Sequence, residues 1–320
     1  MELLKVAVLY GGRSSEYDVS VQSGKTIVEG LRSVGKYKVS PVLVTYDRSW
    51  VFSEDFLGAD VVFPALHGKY GEDGTVQGLC EVLNIPYVGC GVLSSAVCLD
   101  KPVSKRLAAG VRGLGQVEFL EIHSDELKRF DDFELRVSGG IGYPCFVKPV
   151  TTGSSCGISK VCNKDELFKA LSYASEFEHR LMVEKAVSGR ELEVGVIGNR
   201  KPIVSGVGEI VHKSGFYDYD TKYTEGAAEV IFSAKLDENK KDEIRRFALE
   251  VYRALGCEGM ARVDFFMENG TNSIIFNEVN TVPGFTPTSM FHKLFAEDGI
   301  PLPKLLDKLV EFAIERVGKQ

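Results

Sequence analysis

From Ala261 to Thr286 the chain reads ARVDFFMENGTNSIIFNEVNTVPGFT, and no other stretch limits its fold as tightly. Two runs rich in Val, Ile and Phe flank Glu268-Asn269-Gly270-Thr271-Asn272, a cluster of turn formers, which predicts a β-hairpin. With a five-residue loop over Asn269–Ser273, Arg262 faces Asn280, Asp264 faces Glu278 and Phe266 faces Phe276. Side chains alternate faces along a strand, so all six are expected on one face. Two carboxylates and an amide then stand opposite one another beside a guanidinium. Like charges facing across strands repel unless a cation lies between them. Hard oxygen donors of this kind suit magnesium, which takes a few carboxylates and completes its shell with water and phosphate. A solvated polar face is the ordinary alternative for a hairpin. The interruption of otherwise apolar strands by Asp, Glu and Asn favours the metal site.

The amino-terminal part has a different pattern. Leu4 to Tyr10 is an apolar run ending at Gly11-Gly12, the pattern of a buried parallel strand, and a helix carrying Val19, Ile27, Val28 and Leu31 follows. Further strands are predicted over Val39–Thr45, through Val61-Val62-Phe63 and over Pro86–Gly89, with a helix over Thr75–Leu83. Strands alternating with helices predict an open, mostly parallel sheet with ligands at the carboxyl ends of its strands. Glu16 and His67 fall just beyond such ends. At 320 residues the chain is too long for one ordinary core, and two or three domains are expected.

Two nucleotide-binding signatures are excluded. Gly24-Lys25-Thr26 is the tail of a P-loop, but Val19 stands where the first glycine belongs, and the Gly11-Gly12 turn lacks G-x-G-x-x-G. A net charge of −7 argues against nucleic acid as a bulk partner. Seven scattered cysteines without a C-x-x-C pair suggest reduced thiols, and no run of about 18 apolar residues is present to span a bilayer. No cleavable signal precedes the first strand, so a cytoplasmic protein without membrane partners is expected.

Farther along, Pro144-Cys-Phe-Val-Lys148-Pro149 and Ile158–Val161 read as strands joined by Thr151-Thr-Gly-Ser-Ser-Cys-Gly157. Such a small-residue loop offers backbone N–H groups to an anion and can fold over it, and Lys148 adds a point charge suited to phosphate. Asn163-x-x-Glu166 resembles a capping box at the start of a helix. A strand over Arg180–Val187 and a hairpin across Gly198-Asn199 follow. The polar stretch from His212 to Ala228, rich in aromatics, is long enough to be a cover over a site. Asp237–Leu255 and Pro303–Val317 are predicted helices. Between Gly110 and Gly142 no strong pattern appears.

Together Lys148-Pro-x-x-x-Gly153-Ser154-Ser155, Glu184-Lys185, Arg262-x-Asp264 and Glu278-x-Asn280-Thr-x-Pro283-Gly284 resemble an ATP-grasp ligase. With Gly11-Gly12-x-Ser14-x-Glu16, His67-Gly68-x-x-Gly71-Glu-Asp-Gly74 and Asp100-Lys101-Pro102, the chain resembles the D-alanine–D-alanine ligase family over nearly its whole length. The resemblance implies an α/β protein, α+β overall: an amino-terminal open parallel α/β substrate domain (1–99) and an ATP-grasp fold of two α+β subdomains, a central lid (100–187) and a catalytic part (188–320). It implies that Lys101, Lys148, Ser155, Glu184, Lys185, Val187 and Glu191 hold ATP, Lys185 and Val187 through their backbone, and that Lys222 reaches the γ-phosphate. Asp264, Glu278 and Asn280 would bind two Mg2+ or Mn2+ ions. Glu16 would hold the first substrate's ammonium, with Ser154 and Tyr223 linked to it. Arg262 and the N–H of Gly284 would stabilise the developing oxyanion. His67, Ser289 and Met290 complete the expected substrate contacts. The implied reaction joins two D-alanines through an acyl phosphate, and a homodimer is the expected assembly.

Tyr223 bears on the product. A tyrosine there accompanies dipeptide formation in the family, whereas relatives making the D-alanyl-D-lactate ester carry histidine on that loop, and 213–228 contains none. The alternatives are a D-alanine–D-lactate ligase or another carboxylate–amine ligase of the same fold. Thr152, where many relatives carry Glu, and Ala186, in place of a larger residue, bear on nucleotide affinity.

Overall fold

The computed structural model describes residues 3–154, 156–212 and 228–318. Three sheets organise them. The first is parallel, with β1 (Leu4–Gly11) between β2 (Tyr37–Val44) and β3 (Val61–Pro64). β1 and β3 are apolar runs because both their faces are covered, while β2, at the edge, mixes exposed Lys38 and Pro41 with buried Val42 and Val44. Helix α1 (Tyr17–Val34) crosses one face and stops at Gly35, whose φ of 75° is the left-handed conformation that ends a helix at little cost in glycine. Helices α2 (Glu54–Leu57), α3 (Thr75–Val82) and α4 (Val92–Leu99) complete this part, and Tyr87 extends the sheet by one parallel bridge to Val62.

The second sheet belongs to the middle of the chain. Helix α5 (Lys101–Ala108) begins at Asp100, whose carboxylate accepts the Val103 N–H at 3.1 Å. β4 (Phe119–His123) and α6 (Phe130–Arg136), the latter running into a π turn at Val137–Ile141, lie in the region without a strong sequence pattern. Then come β5 (Cys145–Pro149), β6 (Ser159–Val161), α7 (Lys164–Ser175) and β7 (Arg180–Lys185), in the antiparallel order β4-β7-β5-β6. Half of the capping box at α7 forms: Asn163 accepts the Glu166 N–H at 3.0 Å, while Glu166 accepts not the Asn163 backbone N–H but that of Cys162, one residue before the cap, at 2.7 Å.

The third sheet has the order β10-β9-β8-β11-β12, from β8 (Gly189–Ile197), β9 (Ile203–His212), β10 (Ala228–Ile231), β11 (Met260–Glu268) and β12 (Ile274–Asn280). Helix α8 (Glu238–Ala254) packs Ile244, Phe247, Ala248 and Val251 against one face. Helix α9 (Met290–Glu297) packs on β8 and β9 from the other face, and α10 (Leu302–Val317) packs on α1 and β3, so Phe291, Phe295, Leu305 and Leu306 share a core with Val6, Val8 and Phe63. Among the described residues no helix is long and apolar enough to cross a membrane.

The hairpin differs from expectation in one respect. Arg262 pairs with Asn280 and Asp264 with Glu278, but Phe276 pairs with Phe265, not with Phe266. The ladder closes one residue earlier at the turn, where the Glu268 N–H donates to Ser273 O at 3.0 Å. A bulge at Asn277 then restores the register. The two offsets cancel at Asp264. The bulge lets Phe276 and Phe265 both turn into the core, their rings 6.5 Å apart, while Glu278 stays opposite Asp264.

Candidate active site

The face of the third sheet carries the acidic groups. Arg262 donates Nε to Asp264 Oδ1 at 2.8 Å and Nη2 to Oδ2 at 2.7 Å, while Asn280 Nδ2 donates to Asp264 Oδ2 at 2.9 Å. Glu193, directly opposite Asp264 on β8, lies 3.2 Å from Arg262 Nε. Glu191 stands two residues earlier on the same face, opposite Phe266. Burial holds the Asp264 carboxyl up at about 6; Arg262 works against this, while Glu278 and Glu191 add to it. A carboxylate held up by burial and acidic neighbours is a group that a cation relieves. Among the described residues no three acidic, histidine or cysteine side chains converge on one cation. Two carboxylates and one amide oxygen on neighbouring strands, Asp264, Glu278 and Asn280, are a donor set that fits an ion taking most of its shell from water and phosphate.

Lysines stand across from this face. Lys101 and Lys105 on α5 are buried, and Lys148 on β5 is nearly so. Glu184 at the end of β7 is held between Lys148 and Lys105, the latter at 3.1 Å. Burial pushes the Glu184 carboxyl up, but the two lysines outweigh it and hold it down at about 2. Burial lowers Lys101, and the same effect on Lys148 is outweighed by Glu184, which leaves that ammonium raised. The charge of Glu278 acts to raise Lys101, Lys105 and Lys148 alike, so the end of β12 lies within electrostatic reach of all three ammonium groups. Lys101 Nζ also donates to Thr152 O at 2.8 Å and fixes the start of the small-residue loop. Lys105 and Glu193 were not singled out in the sequence. A lysine one turn after Lys101 on an amphipathic helix, or a glutamate alternating with Glu191, looks like any solvated surface residue.

The small-residue loop meets the first domain at Glu16. Ser154 Oγ donates to Glu16 Oε1, and Cys156 Sγ lies 3.6 Å from Ser15 Oγ. Glu16 is wedged between two glycines: a Cβ on Gly68 would lie 2.8 Å from Glu16 Oε2, and one on Gly153 3.0 Å. His67 is buried, with Nδ1 at 3.4 Å from Glu72 and Nε2 at 3.2 Å from Ser23 Oγ. That hydroxyl also accepts the Phe285 N–H at 3.0 Å, which ties His67 to the strand end after β12. Gly284 approaches Ser289 so closely that a Cβ would lie 2.7 Å from its Oγ. Ser289 Oγ accepts the Thr286 N–H at 3.0 Å. Met290 opens α9 with its side chain buried against Gly208, so its backbone N–H in the first turn is what it can offer a ligand. Lys185 ends β7 with its N–H on Glu118 O at 3.0 Å, and Val187 follows, half-buried. Ser155, Lys222 and Tyr223 lie outside the described residues.

Comparison with known proteins gives a consistent result. The family profile "D-ala D-ala ligase C-terminus" matches residues 109–311, and "D-ala D-ala ligase N-terminus" matches 5–58 and 53–90. The chain is 45% identical to the D-alanine–D-alanine ligase of Solibacter usitatus, covering 98% of this chain and 96% of that protein. It is 41% identical to the ligase of the same name from Caldicellulosiruptor bescii, covering 99% and 96%. Among solved structures, the VanG D-Ala:D-Ser ligase of Enterococcus faecalis is similar at 33% identity and a TM-score of 0.85, covering 98% of this chain and 100% of that one. The D-alanine–D-alanine ligase of Coxiella burnetii is similar at 33% identity and 0.81, covering 100% and 96%.

With a parallel amino-terminal sheet and two further α+β parts closing lysines over an acidic hairpin, the chain has the ATP-grasp fold and is an ATP-dependent ligase. It belongs to the D-alanine–D-alanine ligase family.

Proposed function

We propose that the protein joins two D-alanine molecules into D-alanyl-D-alanine at the expense of ATP, releasing ADP and phosphate, in the cytoplasmic synthesis of peptidoglycan precursors. One observation carries this reading: Lys101 Nζ holds the start of the small-residue loop at Thr152 O, and Ser154 of that loop donates to Glu16, so the lysines and the amino-terminal carboxylate meet at one loop. A nucleotide triphosphate fits between the lysines and the acidic face, and a small zwitterion fits beside Glu16.

Lys101 and Lys148 neutralise phosphate charge, with Ser155 of the small-residue loop beside them and Lys222 expected at the γ-phosphate, while Glu184, Lys185, Val187 and Glu191 hold the nucleoside end. Asp264, Glu278 and Asn280 would hold the two Mg2+ or Mn2+ ions, which when bound offset charge on the transferring phosphoryl group. A carboxylate is a poor acyl donor, so the first D-alanine is activated as its acyl phosphate. Glu16 holds that substrate's ammonium by a charge-assisted hydrogen bond, and His67 lies alongside. The amine of the second D-alanine, its carboxylate on Ser289 and the Met290 N–H, attacks the acyl carbon. Arg262 and the Gly284 N–H stabilise the oxyanion of the tetrahedral intermediate, and phosphate leaves. Water would hydrolyse the acyl phosphate, and the Ser154 contact, with Tyr223 as its expected companion, keeps the loop closed. A homodimer is the expected assembly.

Product analysis tests the reading. The protein is incubated with ATP, Mg2+ and D-alanine, alone and with D-lactate or D-serine. D-alanyl-D-alanine with one ADP per dipeptide is the expected product. A predominant ester or D-alanyl-D-serine in the mixed incubations would replace D-alanine as the second substrate, and ADP release independent of D-alanine would reject the activity.

A further inference from the structure

The lysine side of the cleft holds one ammonium that phosphate binding leaves without a task. Lys105 lies one helical turn beyond Lys101 on α5, and its side chain is 2% exposed. Its Nζ is 3.1 Å from Glu184 Oε2, while Lys148 holds Oε1 of the same carboxylate. Nζ also lies 3.5 Å from the Phe276 carbonyl oxygen and 5.8 Å from the centre of the Phe276 ring, which anchors the ammonium to β12. We propose that Lys105 is a positioning residue that sets nucleobase selectivity, holding Glu184 ionised and fixed as the acceptor for the exocyclic amino group of adenine. This rests on the ATP-dependent reading of the site.

The chemistry of Glu184 points to a base. An ionised carboxylate only accepts, and with one lysine on each oxygen its remaining lone pairs can be met only by a donor. Phosphate oxygens are acceptors and carry charge of the same sign. Glu184 is directly opposite Phe119 on β4 and Phe146 on β5, so aromatic side chains share its face of the sheet. A flat purine packs on such a surface; a triphosphate does not. Adenine presents an amino group where guanine and hypoxanthine present a carbonyl oxygen, which would meet the carboxylate acceptor to acceptor.

Lys148 cannot do this alone. It is the more exposed of the pair at 12%, and Glu278 and Glu191 act on it from the cleft side. It is therefore placed to turn toward a bound nucleotide. Lys105 lies on the closed side and stays with Glu184. Without it, a buried carboxylate loses a counter-charge, and a carboxyl that is displaced or protonated no longer rejects a carbonyl.

The test measures kcat and KM for ATP and ITP with D-alanine, together with calorimetric binding of ADP and IDP, in the full chain and in Lys105→Met and Lys105→Arg. Lys105→Met should raise KM for ATP about tenfold or more with kcat changed far less, and should lower the ATP:ITP ratio of kcat/KM by about tenfold or more. Lys105→Arg should restore both. An unchanged ratio in folded Lys105→Met overturns the proposal. Should Lys105→Met not fold, Glu184→Gln decides: its amide carries a donor and should lift ITP toward ATP, and a wild-type preference in that variant equally overturns it. Wild-type protein that binds neither ADP nor ATP refutes the underlying reading instead.

Discussion

Removing the Ser154 hydroxyl isolates the contact that closes the small-residue loop. Ser154 already carries a Cβ at a φ of 51°, so Ser154→Ala introduces no new backbone strain. The substitution removes the hydrogen bond from Ser154 Oγ to the Glu16 carboxylate. Hydrogen bonds to charged groups contribute about 1.5–3 kcal/mol net, which converts to roughly ten- to a hundred-fold in an equilibrium constant. That loss falls on the subsite of the first D-alanine, because the Glu16 carboxylate, packed against Gly68 and Gly153, loses its hydrogen bond to the loop. The assay is steady-state kinetics with each substrate varied in turn, with ADP and dipeptide measured separately. KM for the first D-alanine should rise by roughly ten- to a hundred-fold, KM for ATP should hold, and more ADP than dipeptide should appear as acyl phosphate is lost to water. Equal KM values for D-alanine with one ADP per dipeptide would refute the link between loop closure and Glu16.

Two further outcomes follow from buried groups. Glu184 is depressed from an ordinary value of 4.5 to about 2, so its ion pairs contribute stability that is complete above the ordinary value and lost as pH falls through the folded one. The urea midpoint of the wild type should therefore exceed that of Glu184→Gln at neutral pH, and the difference should vanish as pH falls between about 4.5 and about 2; a difference independent of pH would contradict the ion-pair account. Gly195→Ala should cost about 1–3 kcal/mol of stability by overpacking, since the new Cβ would lie 2.6 Å from the Phe295 ring and 3.2 Å from that of Phe291. These rings hold α9, whose first turn follows Ser289, so KM for the second D-alanine should rise with it, and an unchanged urea midpoint would show that the helix yields freely.

Much of this architecture is legible in the residues themselves. The strands β1 and β3 of the first sheet are covered on both faces and so appear as plain apolar runs, and Asn163 and Glu166 carry a local capping signal. The hairpin was legible at its functional end for a reason that was only half right. A loop closing one residue early and a bulge at Asn277 cancel, and local pattern cannot reveal a bulge whose purpose is to send Phe276 into the core. β4 and α6 escape because their residues pack on only one side, and four of the seven residues of α6 are charged. α9 is hidden by the polar turn before it, although Phe291, Leu294 and Phe295 are fully buried. At the site, the residues that belong to motifs can be read from the sequence, and the residues packed against them cannot. Lys105 and Glu193 owe their burial to strands and helices far away in sequence, so their charge alone says nothing of their partners.

The carboxylate face of the third sheet stands or falls on whether it takes divalent ions together with a nucleotide. Counting Mn2+ bound per chain by electron paramagnetic resonance, with a non-hydrolysable ATP analogue present, reads this without turnover. Two ions in the wild type and fewer in folded Glu278→Gln are the expected result. The same count in both proteins, or none in the wild type beyond what the free nucleotide binds, would contradict it.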